Sequence, residues 1–371
     1  MKSLEKEILY KETEKNIHTY DILRVFATLL VILSHCGYYN ILTKYGGISY
    51  GEEINLIYGD TLIHIFFSRI VKLIYTFHMP LFIALSGALF YIQIKNDKYK
   101  SINSLITNKA KRLLIPFIVI TLIYSVPIKY ISGYFKSSNN LLKDILFGQI
   151  LIQGNTYLWF LPTLFLVFII IYLSEKYIDI SSNYKIIILI FLNILSYNMP
   201  VMIVKYVFRY IIWFYFGFLF ESLRKKIDNK LEIYKNSWLF IVFVILMLYV
   251  IKDIKLFSNR LLLKIIEKLI ILIIGVAECF LMYILSFKLT KCNIYNKCIF
   301  KQLLITSFGL YLYSDPINYL ILHIVYKIGG MTMFISEIGS LSIIVLRAIL
   351  TLFIAFFITK VLKSKHIKYI V

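Results

Sequence analysis

The chain has 371 residues, 60% of them hydrophobic and 17% aromatic, with a mean hydropathy of +0.77. Soluble globules lie nearer about 45–50% apolar, so this composition excludes a soluble fold and points to a polytopic membrane protein. Charged residues are only 16% of the chain yet leave a net charge of +21, an excess that loops on the positive side of a membrane explain better than a nucleic-acid partner does.

Residues 1–19 are polar and of mixed charge, so the first apolar run reads as an uncleaved anchor. At the length needed to cross about 30 Å of hydrocarbon, a hydropathy pass gives about ten spans. They fall near residues 20–38, 74–94, 113–131, 157–174, 186–199, 206–222, 237–251, 266–287, 303–326 and 341–362. The fifth is short enough to be tilted or partly re-entrant. Residues 61–73 read as an interfacial amphipathic helix leading into the second span. The expected fold is thus all-α and polytopic, with a cytoplasmic segment 1–19, a membrane domain 20–362 and a cytoplasmic tail 363–371.

With the amino terminus inside, the inner segments carry 25 lysines and arginines and the outer loops 9, which places both termini in the cytoplasm of a cell carrying the chain in its plasma membrane. The loop holding Lys252, Lys255, Arg260 and Lys264 runs against that trend. The four cysteines, Cys36, Cys279, Cys292 and Cys298, form no C-x-x-C pair and have no zinc spacing, so no metal is expected.

Ionisable groups inside spans are functional candidates because lipid penalises them. The first span holds Arg24 and His35 among such groups. Eleven steps of helix bring their side chains to within about 20° of one face and separate them by about 16 Å along the axis. A plainer reading makes Arg24 a snorkelling anchor paired with Asp21 three residues earlier, and His35 a packed polar residue. In the second span, Pro80 frees a backbone carbonyl and Ser86-Gly87 permits close helix approach. The run Lys109-Ala110-Lys111-Arg112 before Pro116 is either a phosphate clamp or a topological stop. Trp159, at the mouth of the fourth span, suits an interfacial belt or a sugar-stacking platform. Arg209 and Asp315 lie within later spans, and a buried Asp315 needs a partner, for which Arg209 and Arg347 are candidates.

In order and spacing these segments resemble the membrane acyltransferase-3 family, over nearly the whole chain. The resemblance is carried by the arginine-x10-histidine of Arg24 and His35, by Met79-Pro80-Leu81-Phe82 with Ser86-Gly87, by the basic run Lys109 to Arg112, and by Trp159-Phe160-Leu161-Pro162. Two positions depart from it. Lys109 replaces the first arginine of an R-x-x-R pair, and Ser314 stands where Gly-Ile-Tyr-Leu-x-His-x-Pro has its histidine.

The resemblance implies an O-acyltransferase that moves an acyl group, commonly acetyl, from cytoplasmic acyl-CoA to a hydroxyl of an extracytoplasmic glycan or lipid-linked acceptor. On that basis Lys109, Lys111 and Arg112 would hold the CoA phosphates and Arg24 would orient the thioester end. His35 would act as general base, or carry the acyl group. Trp159, Arg209 and Asp315 would face the acceptor. The competing reading is a transporter or flippase of a polysaccharide or lipid-linked intermediate, against which the lack of an internal repeat counts.

Overall fold

The computed structural model describes residues 2–50, 61–136, 138–154, 157–234, 236–253, 260–292 and 294–365. Long helices dominate it, in keeping with a sequence whose apolar runs leave the backbone no partner but itself inside a bilayer. They are α1 (Lys2–Cys36), α2 (Leu62–Lys95), α3 (Ile102–Ile131), α4 (Phe160–Tyr177), α5 (Ser182–Leu195), α6 (Met202–Ile233), α7 (Ser237–Asp253), α8 (Arg260–Leu289), α9 (Cys298–Gly329) and α10 (Glu337–Ser364).

Among the described residues, seven helices are long and apolar enough to cross a membrane. The expectation of about ten therefore turns on α5, α7 and α9. Helix α5 has only 14 residues, and the apolar stretch of α7 is confined to Trp238–Tyr249. Helix α9 has 32 residues, but Thr306, Ser307, Ser314, Asp315 and Asn318 dilute its hydropathy. Residues 61–73 do not form a separate interfacial helix, because α2 runs unbroken from Leu62 through Pro80 to Lys95. The polar lead is helical from Lys2 onward. The end of the expected tail (366–371) and Lys255 in the anomalous basic loop lie outside the described residues.

Contacts divide the chain into two units, one of residues 1–29, 76–96 and 212–307 and the other of residues 30–75, 97–211 and 308–371. In the first, α2 and α6 meet backbone to backbone. A Cβ on Gly87 would lie 1.9 Å from Phe214 O, and one on Gly217 would lie 1.8 Å from Ala84 O. The small-residue contact expected at Ser86-Gly87 is thus present, with Gly217 as its counterpart. Buried and half-buried carboxylates of this unit are met by donors. Tyr20 bonds Glu221, Arg224 Nε donates to Glu221 at 2.9 Å, and Tyr283 donates to Asp228 at 2.6 Å. Glu278 accepts from Thr76 at 2.6 Å and from Tyr249 at 3.1 Å.

In the second unit α10 presents Ile343, Arg347, Thr351, Ala355 and Thr359, a buried row recurring every fourth residue. Its opposite side exposes Ile349, Phe353 and Phe357, as suits a lipid-facing surface. Two stretches of α3, Ala110–Leu114 and Ile120–Ser125, are wound as wider π-type turns. Pro116 and Pro127 lie just beyond the start of each regular segment that adjoins them. Proline offers no N–H to the preceding turn, and a wider turn relieves the clash.

The only strands among the described residues are β1 (Asn40–Thr43) and β2 (Gly46–Ser49), an antiparallel hairpin that nothing in the sequence patterning announced. It docks on the turn after α3. Gly47 N donates to Tyr134 O at 2.8 Å, and Gly46, at φ +121°, has no Cβ to block that carbonyl.

Gly217→Ala is expected to push α2 and α6 apart and to destabilise the protein by about 1–3 kcal/mol, the range for overpacking a close contact. Thermal unfolding in detergent measures this, and an unaltered midpoint would show that the glycine contact contributes nothing.

Candidate active site

Helix α1 ends at Cys36, so its last turn presents His35 at the point where the chain leaves the helix. Helix α9 continues through Pro316 and carries Asp315 on its buried face. The two meet. His35 Nδ1 lies 2.8 Å from Asp315 Oδ1, and both side chains are buried, at 7% and 1% exposure. Tyr38 OH donates to the same Oδ1 at 2.6 Å. The second oxygen, Oδ2, has no hydrogen-bond partner among the described residues. The His35–Asp315 contact is one of close approach and charge, since Nδ1 makes no hydrogen bond of regular geometry there. A carboxylate beside an imidazole is an arrangement that can support a general base.

The turn that carries His35 is held by Arg347 from α10. Its guanidinium donates to the carbonyls of His35 (2.8 Å), Cys36 (2.8 Å) and Tyr38 (2.7 Å). The last carbonyls of a helix have no partner within it, and a cation there also opposes the negative end of the helix dipole. Asn318, one turn after Asp315, accepts from Cys36 Sγ at 3.4 Å and from Thr351 at 3.2 Å. Arg347, Thr351 and Asn318 therefore brace the end of α1 from two helices.

Arg347 is thus a helix cap and not the ion partner of Asp315 that the sequence made possible. Nor is Arg209 that partner. Its guanidinium lies 4.4 Å over the Tyr197 ring, and its carbonyl accepts from Asn193 at 2.7 Å. Arg24 is partly exposed and 3.7 Å from Asp21, the pairing that the plainer reading of the first span foresaw. Trp159 is buried, stacked on Tyr206 at 4.2 Å and Tyr210 at 4.8 Å between ring centroids. Lys109 is also buried, with its ammonium 3.4 Å over the Phe168 ring, whereas Lys111 and Arg112 are exposed. Ser314 is fully buried beside Asp315.

Three members of the site escaped sequence reasoning. Tyr38 and Asn318 carry no signal of their own, being ordinary polar residues whose partners lie hundreds of positions away. Lys129 did carry one. It is a lysine inside an expected span, the same mark that singled out Arg24, and its ammonium is wholly buried.

A family model described as an acyltransferase domain, acyltransferase-3, matches residues 17–360. The chain belongs to that family, and its long apolar helices are those of a membrane acyltransferase. No curated protein and no solved structure matches it significantly.

Arg347→Met is expected to leave three carbonyls without donors and to lower the unfolding midpoint, each buried unpaired group costing about 1–3 kcal/mol. Arg347→Lys retains one charged donor and should fall less. Equal midpoints for both variants and the wild type in a thermal-shift measurement would remove the capping role.

Proposed function

We propose that the protein is an O-acyltransferase that moves an acyl group, most simply acetyl, from cytoplasmic acyl-CoA to a hydroxyl of an extracytoplasmic glycan or lipid-linked acceptor. The single observation that carries this reading is the buried contact of His35 Nδ1 with Asp315, and in it Nε2 is the nitrogen that takes a proton. Imidazole titrates near about pH 6.5 when unperturbed, so it alone among these side chains changes charge easily at physiological pH.

The reaction then follows from the residues. His35 Nε2 takes the proton of the acceptor hydroxyl as its oxygen forms a bond to the thioester carbonyl carbon. The C–S bond breaks, the imidazolium returns the proton to the departing CoA sulfur, and an ester and CoA thiol result. Asp315 stabilises the transient imidazolium, and Tyr38 keeps the carboxylate turned toward the ring. Exposed Lys111 and Arg112 hold the CoA phosphates by charge-assisted hydrogen bonds, with Lys109 anchoring their stretch of helix against Phe168. Arg209 serves the acceptor. Both termini lie in the cytoplasm and the chain sits in the plasma membrane. Trp159, enclosed by Tyr206 and Tyr210, shapes the acceptor side through packing rather than by direct stacking on a sugar.

Sealed vesicles with radiolabelled acetyl-CoA on one side and the glycan on the other test the reading. His35→Gln keeps a donor for Asp315 and should purify as a folded protein while losing transfer by at least about 10²-fold, the usual minimum for a general base. Wild-type transfer in that variant would end the catalytic assignment. Arg112→Ala should raise KM for acyl-CoA several-fold with little change in kcat, and an unchanged KM would confine the basic run to topology.

A further inference from the structure

Lys205 and Arg209 stand one turn apart near the start of α6, on one face of the helix and both half-buried. Among the described residues neither has an acidic partner. The Arg209 guanidinium lies 4.4 Å over the Tyr197 ring, and its buried Nε makes no hydrogen bond there. By contrast Arg224 holds Glu221 and Asp228, and Arg347 donates to three carbonyls.

This arrangement is unfavourable on three counts. Charge within a helix apolar enough to cross a membrane is penalised. Like charges four residues apart repel. A lysine in the first turn also meets the positive end of the helix dipole. Topology does not account for the pair either. In the orientation proposed above α6 begins on the outer side, where lysine and arginine are ordinarily sparse, and its far end already carries Arg224, Lys225, Lys226 and Lys230. The CoA phosphates are met on the opposite side by Lys111 and Arg112, so the anion that balances Lys205 and Arg209 belongs to the acceptor.

Packing joins this stretch of α6 to the helix that carries Asp315. Tyr206 and Tyr210 stack on Trp159 at 4.2 Å and 4.8 Å. Tyr157 and Phe160, which flank Trp159, both meet Tyr311, whose hydroxyl donates to the Tyr157 carbonyl at 2.7 Å and whose ring lies 5.7 Å from that of Phe160. Tyr311 is one turn before Asp315 on α9. Asn193 donates to the Arg209 carbonyl at 2.7 Å and fixes that turn of α6 against α5. A guanidinium held in this way presents paired N–H groups that match the oxygens of a phosphate or a carboxylate.

We propose that Lys205 and Arg209 form an oxyanion-binding subsite for the acceptor, and that the acceptor is an anionic glycan carrying a phosphoryl group or a sugar carboxylate. This rests on the reading of the protein as an O-acyltransferase with an outer acceptor. The subsite recognises and places the acceptor and takes no part in bond making.

The test uses the full-length protein in phosphatidylcholine vesicles, where no anionic headgroup competes. Three probes are compared: a neutral disaccharide, the same disaccharide phosphorylated at its reducing end, and its counterpart ending in a uronic acid. Binding without acyl-CoA and transfer from acetyl-CoA are both measured. A charged probe should bind at least about tenfold more tightly than the neutral one, and whichever does so names the source of the oxyanion. Arg209→Gln should bring that probe to the neutral probe's affinity and raise its KM alike, with KM for acetyl-CoA and the unfolding midpoint held. Lys205→Gln should give a smaller loss of the same kind, and it decides the matter if Arg209→Gln does not fold. Equal binding of all three probes by the wild type overturns the proposal. So does an Arg209→Gln protein whose midpoint falls while the preference for charge stays, because the arginine is then structural only. A rise in KM for acetyl-CoA alone overturns it as well. Preferential binding of a charged probe, lost in Arg209→Gln, with no transfer to any probe would uphold the subsite and refute the acyl-transfer reading instead.

Discussion

Asp315 is the constraint around which the rest is arranged. A carboxylate in the interior of a membrane helix is stable only if donors or positive charge are brought to it, and none can come from its own helix, whose N–H groups are already committed. His35, Tyr38 and the charge of Lys129 come from α1, the segment after it and α3. Each of those donors must in turn be held. The end of α1 is secured by Arg347, the α3 ammonium by tyrosine rings and Gln149. The polar face of α9 and the guanidinium of α10 make sense as one assembly, assembled about a single negative charge.

The same demand separates the two classes of buried polar group in this protein. Glu278 is met by the hydroxyls of Thr76 and Tyr249, and Glu221 by Tyr20 and Arg224, so both oxygens of Glu278 and the partners of Glu221 are accounted for within the helices that pack there. These contacts join helices and leave nothing over for a substrate. Asp315 differs, since Oδ2 is buried with no hydrogen-bond partner among the described residues, while Oδ1 takes the Tyr38 hydroxyl and lies 2.8 Å from His35 Nδ1. An incompletely satisfied carboxylate beside an imidazole is a poor way to fasten helices together and a good way to move a proton.

Much of the helical framework was legible in the sequence because lipid imposes a one-dimensional rule: apolar residues in runs of sufficient length. Helix α9 lies where a span was expected, but Ser314, Asp315 and Asn318 make it less apolar than the seven helices that are long and apolar enough to cross. Arg24 and His35 stood out as lipid-embedded charges, and Gly87 as a close-approach residue. What could not be read was pairing. Asp315 contacts a histidine 280 positions away in sequence, and no local pattern tells that histidine from Arg209 or Arg347. Lys109 and Arg112 lie three residues apart and looked equivalent, yet one is buried on Phe168 and the other exposed. The hairpin at Asn40–Ser49 was hidden because its residues do not alternate cleanly and its register is set by contact with Tyr134.

The wider turns in α3 also set how that helix can evolve. A π-type turn holds one more residue than an α-turn, so each such stretch rotates everything beyond it by about 100° about the axis. Both precede Lys129 on α3, one at Ala110–Leu114, which contains the exposed basic pair, and one at Ile120–Ser125. Loss of a single codon in either would restore ordinary winding there and swing the lysine out of its ring of tyrosines, without touching any residue of the site. Point substitutions in these stretches are therefore far better tolerated in principle than length changes, and alignments of related chains should show gaps excluded from them.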